Sequence, residues 1–284
     1  MKCNIRHSGQ LGDIVYALPA MQALARRNGA ARVSLYVPSD NVASYGPEMK
    51  HAGGGQMVSR ALFDFIAPLL LAQSYVDAVH FVPSGEIPAD AIDFDVIRGG
   101  GIHVLAGNLK DHYYKAFAVL ADSPCRWLEP SAAVAAAPPD FDILIGRSMR
   151  YLNQAIDYGV LAPLGLRVGF VGLESEFEEF RARFPNLPMN HVPVANALDV
   201  CDRIASASLY IGNQSFFFAI AEALQTNRLL EVFEPIPNVV PSGGRCGQFL
   251  TTYGLRALVG TFFCRVVPAR DGTGDLNSEY VKCV

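Results

Sequence analysis

Charge is scarce in this chain: 18% of its 284 residues are Asp, Glu, Lys or Arg, and the formal net charge is -4. A mildly acidic balance gives no support for a broad nucleic-acid-binding surface. Long apolar runs are missing too. Residues 67–72 are among the longest, far short of the roughly 20 residues that cross a bilayer. The N-terminal half has no Lys/Arg-rich amphipathic helix of the kind that lies on a membrane. The first residues lead directly into a strand-like segment, so no signal peptide is expected, and the composition reads as that of a soluble, cytoplasmic protein. Cysteine pairs at metal-ligand spacing are absent. Cys3, Cys125, Cys201, Cys246, Cys264 and Cys283 are scattered without a CxxC, and read as small buried hydrophobes in a reducing compartment. A DxD at a strand end, which would hold a divalent cation, is also lacking. Asp93-Phe94-Asp95 has the spacing but reads as the beginning of a strand, so neither a metal nor a cofactor is expected.

What remains is apolar and periodic. Residues 209–211 form a short apolar run that reads as a buried strand, followed by the polar turn Gly212-Asn213-Gln214-Ser215 and a helix over 216–224 with Asn213 or Ser215 as its N-cap. Such a turn aims unpaired N–H groups and the positive helix end at one point, a ready site for phosphate. The start of the chain repeats the pattern. A strand over 2–7 leads through Ser8-Gly9-Gln10-Leu11-Gly12-Asp13 into a helix over 14–27, with Val15, Leu18, Met21 and Leu24 on one stripe.

Between and after these, strands are expected at 32–37, 78–82, 95–97, 142–145, 167–171, 191–194 and 229–233. Helices are expected at 58–73 (with Pro68 ending or kinking it), 110–120, from about 153 to 164, 174–183 and 197–207. Residues 248–263 read as apolar and partly helical, and 271–278 as a polar loop or tail. Arg98-Gly99-Gly100-Gly101 does not have GxGxxG spacing and reads as loop glycines. The segment SAAVAAAPP at 131–139 suits a linker. The whole is α/β, in two Rossmann-like halves, 1–137 and 138–284, with a cleft at the carboxyl ends of the strands.

The stretch HSGQLGDIVYALPAMQAL resembles the opening of family 9 glycosyltransferases, the heptosyltransferase-like group. ASASLYIGNQSFFFAIAEAL is similar to that family's second signature, departing from it in Phe216-Phe217-Phe218 where a Gly and a His usually stand. The resemblance implies the GT-B architecture, acceptor on the first domain and nucleotide-sugar on the second, and an inverting, metal-independent transfer. It implies Asp13 as catalytic base, a role compatible with capping the first helix. Gly12 falls in the same motif on the donor side. Gly212, Asn213 and Ser215 match the donor-phosphate turn, and Arg147 or Arg150 occupies the place of a basic phosphate ligand. Glu234 is placed for a ribose; Glu222 could do the same or be paired in the interface. The acceptor stays open among a glycan, a small molecule, a protein or a modified base. Two other functions fit the same residues: a sugar-nucleotide epimerase with His103 or His191 as acid/base, and a non-catalytic nucleotide- or sugar-binding protein.

Overall fold

The computed structural model describes residues 2–43, 54–99, 101–120, 126–132, 134, 139–268 and 279–283, with side chains as far as 263. The expectations for Cys125, for much of the 131–139 linker and for the 271–278 tail lie outside them.

In the first half, β1 (Cys3–Arg6) runs into α1 (Leu11–Arg27), then β2 (Val33–Pro38), α2 (Arg60–Leu71), β3 (Val76–Val82), the two-residue β4 (Ile92–Asp93) and α3 (Leu109–Phe117). The strands form a parallel sheet in the order β3-β2-β1-β4. Cys3 and Ile5 point into the helical layer, and Asn4 and Arg6 to the other face, the alternation that period-two side chains impose. The expected strand over 95–97 is instead a 3₁₀ turn, Phe94–Arg98, because Asp93 caps it by accepting the Asp95 N–H at 2.9 Å. Pro68 lies in the last turn of α2, which continues to Leu71.

In the second half, β5 (Ile143–Gly146), β6 (Val168–Phe170), α4 (Glu174–Arg183), β7 (Asn190–His191), α5 (Ala197–Ser206), β8 (Leu209–Asn213), α6 (Phe216–Leu224), β9 (Arg228–Glu231), β10 (Cys246–Phe249) and α7 (Thr252–Phe263) follow. They build a six-stranded sheet, β10-β9-β8-β5-β6-β7, with parallel neighbours throughout. The helix expected before Leu164 is a 3₁₀ segment, Tyr158–Leu164, with Pro163 inside it. The 248–263 stretch opens with an edge strand, β10, before its helix. A two-stranded antiparallel ribbon, β11 (Cys264–Pro268) with β12 (Glu279–Cys283), ends the chain.

One apolar cluster spans the two halves, and a second lies within the C-terminal half. Buried Ile14, Leu18 and Met21 of α1 belong to the same apolar cluster as Phe218, Ala221 and Leu224 of α6, and Ile66 of α2 to the same cluster as Val200 and Ile204 of α5. Trp127 straps the two together: its indole N–H donates to the Val15 carbonyl and its backbone N–H to the Ala223 carbonyl, both at 3.0 Å. A buried polar group pins the same interface. Glu222 is 1% exposed and accepts from Arg228 Nε at 2.5 Å and from Ser242 N–H at 3.0 Å, while Lys110 of α3 donates to Ser242 Oγ at 2.9 Å. Of the two readings of Glu222, pairing is therefore the one the fold realises. With α1 and α6 packed side by side, their N-termini open at the same place.

Candidate functional site

The turn after β8 is a hub. Gly212 lies so close to β5 that a Cβ there would sit 2.6 Å from the Gly146 carbonyl oxygen, so only glycine fits. Asn213, fully buried, accepts from the Ser148 N–H at 3.0 Å and donates to the carbonyls of Ser148 and Arg150 at 2.9 and 2.5 Å. Gln214 donates to the Ile236 carbonyl at 2.6 Å and accepts from the Phe233 N–H at 2.9 Å. Ser215 caps α6, its hydroxyl accepting from the Phe218 N–H at 3.4 Å. Asn213 and Gln214 thus hold the flanking loops, and Ser215 ends the turn. The N–H groups of Ser215, Phe216 and Phe217 then have no intrahelical acceptor, as in the first turn of any helix.

Those loops carry the charged candidates. The 147–153 loop is anchored at Ser148 by Asn213, at Met149 by Glu176 and at Asn153 by Glu231. Arg147 is consumed by the same anchoring. It is 6% exposed and grips fully buried Glu231 in a two-pronged pair at 2.7 and 2.9 Å. Arg150 is the guanidinium left at the surface. It is half-buried, stacks over the Tyr151 ring with 5.0 Å to the centroid, and has no carboxylate partner among the described residues. Tyr151 itself has φ +53°, a left-handed conformation that costs a non-glycine residue on the order of 1 kcal/mol. Glu234 follows β9 on the other loop, exposed, in a turn beside Phe233, whose ring lies 5.5 Å from that of Tyr151. The loops that carry Arg150 and Glu234 thus flank the turn before α6, which Ser215 caps. The Asn213 amide is spent on the loops it holds, accepting from Ser148 and donating to the Ser148 and Arg150 carbonyls.

Across the interface lies the start of α1. The helix begins at Leu11, earlier than its apolar stripe indicates, with Gln10 as cap. Asp13 is the third helical residue, and its Oδ2 reaches back to accept the Gln10 N–H at 3.2 Å, half of a capping box. Gly12 touches α6 directly: a Cβ on it would stand 3.6 Å from the Phe216 Cα and 3.8 Å from the Phe216 nitrogen. Phe216 also meets Phe65 of α2 edge-on, at 6.3 Å between centroids. Of the aromatic run, Phe218 is core, while Phe216 and Phe217 are half-buried against the other half of the molecule.

Sequence reasoning missed what surrounds Asp13. Arg98, at the end of the 3₁₀ turn, pairs with Asp13 Oδ2 and, at 3.4 Å, with Asp95 Oδ1. Both Asp95 oxygens also accept the Ser8 N–H at 3.1 Å. Fully buried His7 accepts the Gly9 N–H on Nδ1 at 3.0 Å, so Nε2 carries the proton and donates to Tyr113 Oη at 2.7 Å. Nothing in the local pattern of Arg98-Gly99-Gly100-Gly101 announces a partner 85 residues away; only the pairing of β4 with β1 brings it there.

Burial pushes the His7 imidazole down to about 4. A folded value below the ordinary 6.5 means the unfolded chain takes up the proton first. His7 therefore costs nothing above pH 6.5, and stability is lost as pH falls from there toward 4. Urea midpoints measured across that window should decline less steeply in His7→Gln; equal slopes would remove His7 as the cause.

Among the described residues no helix is long and apolar enough to cross a membrane, and no three His, Cys, Asp or Glu side chains cluster as a metal site. No family model and no curated protein sequence matches the chain. Solved structures do. The E. coli heptosyltransferase WaaC with ADP is 10% identical with a TM-score of 0.59, over 92% of this chain and 100% of that one. E. coli ADP-heptose lps heptosyltransferase II is 12% identical with a TM-score of 0.60, over 92% and 98%. A family 9 glycosyl transferase from Veillonella parvula is 12% identical with a TM-score of 0.53, over 87% and 85%. The chain therefore has the two-sheet α/β fold of the GT-B heptosyltransferases.

Proposed function

We propose that this chain is an inverting glycosyltransferase that takes a sugar from a nucleotide-sugar donor held on its C-terminal half, with Asp13 as general base. The observation that carries the reading is the contact of Gly12 with Phe216. On this reading the carboxylate in the first turn of α1 serves as base and the N–H groups at the start of α6 as the leaving-group site, the contact bringing the two helix starts together. The acceptor hydroxyl gives its proton to Asp13 as its oxygen bonds to the anomeric carbon, and the bond from that carbon to the diphosphate breaks. Negative charge growing on the diphosphate meets the N–H groups of Ser215 to Phe217, the positive end of α6 and Arg150. On this reading Glu234, exposed after β9, accepts from the ribose hydroxyls. Asp93 and Asp95 are engaged by protein donors, so the reading gives the diphosphate charge to α6 and Arg150 rather than to a metal ion. An adenine nucleotide is the first donor to try, since WaaC was solved with ADP.

A non-catalytic nucleotide-binding protein is the second reading. It is favoured by Phe216 filling the approach between α1 and α6. The two are separated by incubating the chain with ADP-heptose and following ADP release beside a thermal-shift titration with ADP. Stabilisation by ADP with release of ADP from ADP-heptose supports the enzyme; stabilisation with no release supports the binding protein; neither would remove both. Ser215→Ala and Arg150→Ala should each weaken ADP by about 1.5–3 kcal/mol through a lost charge-assisted contact. Unchanged ADP affinity in both variants would place the donor elsewhere.

A further inference from the structure

The carboxylate of Asp13 is not free to turn. Its Oδ2 takes the Gln10 N–H and the Arg98 guanidinium, while Oδ1 accepts from no described residue, and the side chain as a whole is 20% exposed. Arg98 is itself braced from behind by Asp95, which is fixed by the Ser8 N–H. Space for this triad is made by Gly9. A Cβ there would lie 2.7 Å from Arg98 Nη2 and 2.8 Å from Asp13 Oδ2, closer than real side chains come.

Building on the reading of Asp13 as base, we propose that Arg98 is a positioning residue for the transfer. By holding Oδ2, it leaves Oδ1 as the one oxygen that faces the acceptor hydroxyl, and it fixes the rotamer from which that oxygen takes the proton. It touches neither donor nor acceptor. Asp95 sets Arg98 in turn, so a chain of three side chains on α1 and the β4–3₁₀ corner delivers one lone pair to the opening at α6. A base placed within a few tenths of an ångström works; one displaced by about 1 Å loses on the order of 10²-fold in rate.

The test uses ADP release from ADP-heptose, where water takes the place of the acceptor. Arg98→Gln should lower kcat by about 10²-fold with KM for ADP-heptose and ADP affinity unchanged, because the donor contacts are untouched. Arg98→Ala should regain part of the rate when guanidinium ion is added at millimolar concentration, well below denaturing levels. Adding Arg98→Gln to Asp13→Asn should cost nothing further, since an absent base needs no positioning. Arg98→Lys, which keeps the charge, is the fallback where the larger changes harm folding, and should lose rate because an ammonium cannot reach two carboxylates in the forked geometry. Wild-type kcat in Arg98→Gln or Arg98→Lys, or an additive double variant, would overturn the inference while Asp13→Asn still showed its loss. Full activity in Asp13→Asn would remove the parent reading, and the inference with it.

Discussion

Asp13→Asn should abolish sugar transfer while leaving the fold and the donor site intact. A general base contributes about 10²–10⁴-fold, and ADP release from ADP-heptose should fall by that factor. The amide removes the proton acceptor but keeps the shape. Its carbonyl oxygen can still accept the Gln10 N–H that closes the first turn of α1, now at 3.2 Å from the carboxylate. Arg98 keeps Asp95 as a partner, so no guanidinium is stranded. Both Asp13 and Arg98 are partly solvated, and a lost ion pair in that setting costs under about 1 kcal/mol. Melting temperature and ADP affinity should therefore stay near those of the parent chain. ADP release at the parental rate would reduce Asp13 to a helix cap and leave the binding-protein reading in possession of the site.

The α/β class, the start of α6 and the turn of residues 212–215 were legible because they rest on local chemistry, whereas α1 begins three residues before the helix its apolar stripe indicates. Glycine, a capping hydroxyl and an apolar stripe act within a few residues, and α4 and α6 fall where those signals put them. Partnership was not legible. Arg147 and Arg150 stand three residues apart on one polar loop, and no local pattern separates them. The fold does, because Glu231 at the end of β9 lies beneath the first and not the second. Glu222 was ambiguous for the same reason, resolved by an arginine on β9 and a serine 20 residues on. Edge elements were also lost to view: β10 has Gly247 and Gln248 at its centre and no alternating apolar face, yet it completes the sheet beside β9.

Arg147→Ala should accordingly damage stability far more than donor binding. The pair it breaks is among the most enclosed in the protein, with Arg147 and Glu231 side chains 4% and 0% exposed. Removing the guanidinium leaves a fully buried carboxylate with the Asn153 N–H at 2.7 Å and the Tyr158 hydroxyl at 2.8 Å as its remaining donors. Breaking one side of such a pair typically costs about 3–5 kcal/mol, because the surviving charge stays desolvated without its partner. For a chain of this size that is a fall in Tm of roughly 10 °C. The 147–153 loop should loosen as well, since Arg147 also donates to the Asn153 carbonyl at 3.1 Å. Replacing both partners together, Arg147→Met with Glu231→Leu, should recover much of the loss, as apolar pairs of similar volume often match buried ion pairs. ADP affinity, measured below the lowered Tm, should move much less than in Arg150→Ala. The opposite pattern, an unshifted Tm with ADP binding lost, would mean that Arg147 leaves Glu231 to take the phosphate, and would return it to the donor site.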